Sequence, residues 1–401
     1  MRLPGRLRLL VTVGLMIAAV STAAAGQVLT TKTFATSGHP VEALVTPDGQ
    51  YVLVTVNQPR SSGIEVFQVA GDGLKKVAYQ PLGAENAQGI VLIPNTRILA
   101  VGLSNAGVAF LPLDDTLRGK AKPQVLPQGD RSGSGYLAAT PDGQFLFVAN
   151  EYGDGGNVGV IALHRDDAGA VHPETLAHIP TPRATPGVTI SEDGSRVYAV
   201  GEVVTPEAAA RLPGHGVAEL ERSGCVQARA DRAMPNGALF VIDTAKAETL
   251  TAAMSPQDVR RQAVRRIVDA GCSPVREAVS ADGAMVYVTA RGDNKVLVFD
   301  AKRLETDAEH AFLRAIPSGG EAPVGLKLFD GGKMLLVANS NRFAGGPGNA
   351  TVVDLSDASK PVLRQTIKTG EFPRNIRSSA DERTLYLTIF SGDELMVLRA
   401  K

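Results

Sequence analysis

The chain has no tryptophan, 5% aromatic residues and only two cysteines in 401 positions. The cysteines form neither a CxxC nor a CxxCH unit, which excludes a thioredoxin-like centre and c-type haem attachment. Six histidines are scattered without an HxH or HExxH pairing, so no zinc-site spacing is present. The GxGxxG, P-loop and GxSxG signatures are missing too, which argues against mononucleotide binding and α/β-hydrolase chemistry. Lysine plus arginine and aspartate plus glutamate each number 41, a formal charge of zero. That balance leaves no basic surplus for nucleic acid and no charged tail.

The one extended apolar run lies at the amino terminus. Arg2, Arg6 and Arg8 precede apolar residues 9–20, and Ala23-Ala24-Ala25 follows. This pattern predicts a signal peptide over residues 1–25, too short for a confident membrane span. Cleavage would remove three arginines and leave an exported chain with a charge near −3 and no transmembrane segment.

What the sequence has in plenty is punctuation, with 42 glycines and 24 prolines. Residues 274–300, PVREAVSADGAMVYVTARGDNKVLVFD, read as three short apolar runs joined by tight turns. The pattern recurs along residues 26–401 at a spacing of one propeller blade. Asp48-Gly49, Asp142-Gly143, Asp193-Gly194, Asp282-Gly283 and Gly331-Gly332 supply the positive φ of a hairpin turn. Asn95-Thr96 and Asp381-Glu382 stand at the same register. Seven repeats follow, each of four strands, except that the last lacks its fourth. Residues 27–38 are one strand too many at the other end. The expectation is an all-β, seven-bladed β-propeller of four-stranded antiparallel blades, with the amino-terminal strand closing the last blade and covering its edge.

The runs YVTA (287–290), FVAN (147–150), LVAN (336–339) and YLTI (386–389), with the P-x-x-x-x-x-S/T-x-D-G block before them, resemble the YVTN-repeat propellers. That group includes the lactonase-like seven-bladed propellers. The resemblance covers nearly the whole chain after the leader and implies the fold; its members include enzymes and surface proteins. Val56, Leu103 and Gly201 replace the motif asparagine, so their turns need other support.

Two insertions interrupt the fourth repeat. Residues 203–236 fall between its second and third strands, on the face of the connections between blades, and are read as a partial lid. Thr205-Pro206-Glu207 there reads as the start of a short helix. Cys225 lies in this insertion and Cys272 just before the fifth repeat. Export and their shared face predict a disulfide, worth about 4 kcal/mol in the chain-entropy account. Residues 244–262 form a second, helical insertion on the opposite face, with Ser255 as cap and Pro256 in the first turn.

Candidate site residues follow from register. Glu42, Tyr136, Arg276 and Asn375 sit two positions past the proline register of the innermost strands. Glu151, Glu202 and Arg291 follow second strands, and His39, Arg342 and Arg374 belong to the same rim. Such a ring suits a small anionic or polyol ligand in a concave mouth. The expectation is an exported binding or interaction scaffold, periplasmic or secreted, monomeric, with no cofactor or metal. Its partner is a small-molecule or protein ligand at the channel face. The alternative is a lactonase-like hydrolase of a small lactone or sugar-derived ester. In that case His39 or Glu42 would serve as base and Arg276 would hold the oxyanion.

Overall fold

The computed structural model describes residues 28–58, 61–83, 86–152, 155–167, 169–182, 184–203 and 236–400. The leader, Thr205–Glu207, Cys225 and nearly all of the 203–236 insertion therefore lie outside the described residues. The described chain forms seven four-stranded antiparallel sheets. Their first strands are His39–Val45, Ile90–Leu92, Ser134–Ala139, Gly187–Ile190, Pro274–Val279, Pro323–Phe329 and Pro373–Ser378. Each touches the first strand of both neighbouring blades, so these seven close a ring around a central axis.

Blade 7 is the exception in connectivity. Its first three strands are Pro373–Ser378, Thr384–Ile389 and Glu394–Ala400, and its fourth is Leu29–Ala35. Leu29 pairs with Ala400 and Ala35 with Glu394, an unbroken seven-residue register. Gln365 of blade 6 fastens the start of this strand by accepting from the Leu29 N–H at 2.8 Å and donating to its carbonyl at 3.0 Å. The ring is thus closed by the two ends of the chain, and the Glu394–Ala400 edge is covered by the amino-terminal strand.

Packing follows the period of two. In Met285–Ala290 of blade 5, Val286 and Val288 enter the cluster shared with blade 4, while Tyr287 enters the cluster shared with blade 6. Seven apolar clusters result, one for each pair of adjacent blades. A second strand packed on both faces must be apolar on both, which is why these runs read as nearly continuous hydrophobic stretches.

Two repeated polar devices hold this frame. In the turns, Thr46 donates to Asp48 at 2.5 Å, and Asp48 accepts from the Gln50 N–H at 3.0 Å. Thr140/Asp142, Ser191/Asp193, Ser280/Asp282 and Ser379/Asp381 repeat the pattern. Gly49 and Gly283 have φ of 68° and 69°, and Glu382 takes the same left-handed role at 55°. Between blades, the threonine of the YVTN-like run donates to a backbone carbonyl in, or just before, the first strand of the next blade. Thr55 reaches the Gln88 carbonyl at 2.7 Å, Thr289 that of Val324 at 3.0 Å, and Thr388 that of Val41 at 3.0 Å.

The connection between the third and fourth strands of blade 4 carries helices at Thr244–Ala247 and Pro256–Ala263. Ser255 caps the second, accepting from the Asp258 N–H at 3.2 Å, with Pro256 in the first turn. Val259 and Ala263 bury their side chains in the cluster between blades 3 and 4.

Candidate anion-binding cavity

Connections between blades, and those joining second to third strands, meet on one face around a cavity of about 620 Å³. Of the residues expected at the mouth, Tyr136, Glu151, Glu202, Arg276, Arg291, Arg342 and Arg374 line it. Asn375 instead lines a cavity of about 390 Å³ on the opposite face. Glu42 lines neither. It is fully buried, ion-paired with Arg377 and accepting from the Ile90 N–H at 2.9 Å. The reason lies in the next blade: Gly89, at the same register, leaves room for the carboxylate, and a Cβ there would come within 2.9 Å of Oε2. His39 stays half exposed outside the lining. Its Nδ1 contacts Asp393 Oδ1 at 2.7 Å, and its ring stacks on Phe390 at 4.9 Å.

At the floor, the Arg276 guanidinium lies over the Tyr136 ring, 3.4 Å from its centroid. Arg276 donates to the carbonyls of Pro186 and Val275, which fixes it in place. Among the described residues these two side chains alone line both cavities, so the stacked pair forms the partition along the axis. Burial pushes the Tyr136 phenol up, but Arg276 and Arg374 outweigh it and hold it below its ordinary value.

Charge in the cavity is unevenly matched. Arg291 pairs with Glu202 and also donates to Ser273 at 2.9 Å. Burial, with the neighbouring charge of Arg342, pushes its guanidinium down to about 10. Arg374 donates to Gln88 at 2.9 Å and lies 5.0 Å from the Phe390 ring. Arg342 lies 5.9 Å from the Phe372 ring. No side-chain carboxylate ion-pairs with Arg276, Arg342 or Arg374 among the described residues.

On the aromatic side of the wall, Phe390 falls at the register just after a second strand, whereas Phe372 is not among the residues expected from sequence. Phe372 and Phe390 pack edge to face at 5.5 Å beside Arg374. Phe372 takes a φ of 58° immediately before Pro373; Ser273 and Ala322 hold the same place at 51° and 53°. A bulky residue in this conformation costs about 1 kcal/mol, and such positions cluster at ligand sites. The detectable signal was a phenylalanine where the fifth and sixth repeats have Ser273 and Ala322.

Cys272 ends the fourth strand of blade 4 and is fully buried. Its expected partner, Cys225, falls outside the described residues. No helix among the described residues is long and apolar enough to cross a membrane.

No protein-family model matches the sequence, and no curated protein matches it. Similar folds occur among solved structures. A chain of Kuenenia stuttgartiensis hydrazine synthase superposes with a TM-score of 0.61 at 15% identity, covering 90% of this chain and 96% of that one. The β-propeller domain of Myceliophteria thermophila Cps50 (Swd1) gives 0.60 at 10% identity, covering 92% and 98%. At these identities the likeness shows the fold alone: the protein is a seven-bladed β-propeller.

Proposed function

We propose that this propeller is a binding scaffold whose cavity between the inter-blade connections takes a small organic anion, a carboxylate or a phosphate. The observation that carries the reading is the pair Arg342 and Arg374, which border one cavity without a carboxylate partner among the described residues, above the fixed Arg276. Guanidinium forks suit planar or tetrahedral oxyanions, and an anion there would also relieve the repulsion between Arg342 and Arg291. Glu151, Glu202 and Glu371 also line the cavity and limit the excess charge, so the site favours low-charge anions over polyanions. Phe372 and Phe390 offer an apolar wall for the ligand's body.

Membership of the YVTN-repeat group, export after removal of residues 1–25, a monomeric state and a Cys225–Cys272 disulfide belong to the same proposal. They are supported by the YVTA, FVAN, LVAN and YLTI runs, the leader pattern and the even cysteine count. Lactone hydrolysis draws no support from the geometry. Glu42 is sealed against Arg377, His39 lies outside the cavity lining, and Arg276 is committed to two carbonyls and a ring.

Isothermal titration with benzoate and inorganic phosphate tests the reading. Arg342→Ala and Arg374→Ala should each weaken binding about ten- to hundredfold, the range for a charged hydrogen bond, with little change in melting temperature. Equal affinity in wild type and both variants would remove the proposed site.

A further inference from the structure

The opposite face carries a second cavity, of about 390 Å³, reached between the turns that join first to second strands. Its distinctive residue is Glu277. At that register the other six blades have Ala43, Ile90, Leu137, Val188, Leu326 and Ile376. Each pairs with an apolar residue of its second strand, and Glu277 pairs likewise with Val288. A carboxyl therefore replaces one member of an apolar ring.

Glu277 is 8% exposed, lines the cavity, and neither of its oxygens has a hydrogen-bond partner. Gly187 of blade 4 makes its space; a Cβ there would sit 2.5 Å from Oε2. Leaving a buried carboxyl unmatched is costly, and removing it would be simple in a position that is apolar elsewhere.

The other charged groups in this cavity narrow what can match it. Lys327 faces Glu382 at 3.9 Å, and Arg377 is ion-paired with Glu42. Arg276 is stacked on Tyr136 and bonded to two carbonyls. The cations are thus engaged. That leaves Glu277 and, exposed at the rim, Glu192 as the acids without an ion-pair partner among the described residues, beside an Arg276 fixed in place by its carbonyls and ring. Val188, Ile190, Leu326 and Leu328 complete an apolar wall.

We propose that this cavity is a second binding site, for a protonated alkylamine, with the ammonium on Glu277 and the chain against Leu326 and Leu328. The Arg276–Tyr136 pair separates this site from the anion cavity. A carboxyl buried in this way is pushed up to about 8, the effect of burial exceeding that of Arg276. It is therefore mostly protonated at pH 7, and pairing with an ammonium requires that it lose its proton.

That requirement supplies the test. The mature protein is titrated with n-butylammonium by calorimetry at pH 7, in two buffers of different ionisation enthalpy. Binding should release nearly one proton per amine. Glu277→Gln should weaken binding by about tenfold or more and abolish the release. Leu326→Trp, which fills the apolar wall and leaves the carboxyl in place, should also lose binding and serves if Glu277→Gln does not fold. Unchanged affinity in either folded variant, binding without proton release, or no binding below about 10 mM overturns the proposal.

Discussion

At the scale of single residues, one register produces different outcomes because neighbours differ. Glu42 and Arg276 occupy equivalent places, yet Gly89 admits Glu42 into the blade interface while Arg276 is held over Tyr136. Glu277 offers a direct check on such burial. Its carboxyl is held at about 8 against an ordinary 4.5, so the folded state favours the protonated form. That contribution is fully present below pH 4.5 and is lost as pH rises through about 8. Urea midpoints of wild type should therefore fall relative to Glu277→Gln across this window, with a constant difference above it; parallel profiles would contradict the buried, unmatched carboxyl. Phe372→Ala should weaken benzoate more than phosphate, since only benzoate uses the ring. Equal losses for the two anions would show that the aromatic wall plays no part in recognition.

At the scale of elements, the turns and strands were legible because their determinants are local. The Asp-Gly pairs mark hairpins through a positive φ, and the serine or threonine two positions before each aspartate completes the hydrogen-bonded turn. These hydrogen bonds, with the serine or threonine hydroxyl contributing most, hold Asp48, Asp193, Asp282 and Asp381 below the ordinary aspartate value of 3.8. Carboxylates so held stabilise the fold above that value, and the contribution disappears as pH falls through their lower folded values. Denaturation midpoints should decline below pH 3.8, and less steeply in Asp282→Asn; an identical acid limb would show that the turns contribute nothing. The role of the motif threonine was not legible, because its partner is in the next blade. Thr289→Val should cost about 1 kcal/mol by releasing the Val324 carbonyl.

At the scale of the whole molecule, the blade count and the closure by the amino-terminal strand could be read from repeats, since a missing fourth strand and a spare one imply each other. Cavity chemistry could not be read in the same way. Which arginines lack an acid, and where Phe372 and Phe390 meet, depends on side chains from blades far apart in sequence. Removing residues 28–35 should lower the melting temperature and induce self-association through the uncovered Glu394–Ala400 edge. A truncated chain that stays monomeric and equally stable would contradict closure by that strand.

The most direct measurement is a crystal structure of the protein grown with benzoate. The account predicts its carboxylate within hydrogen-bond reach of Arg342 and Arg374, with the ring against Phe372 and Phe390. Benzoate bound elsewhere, with that cavity holding none, would contradict it.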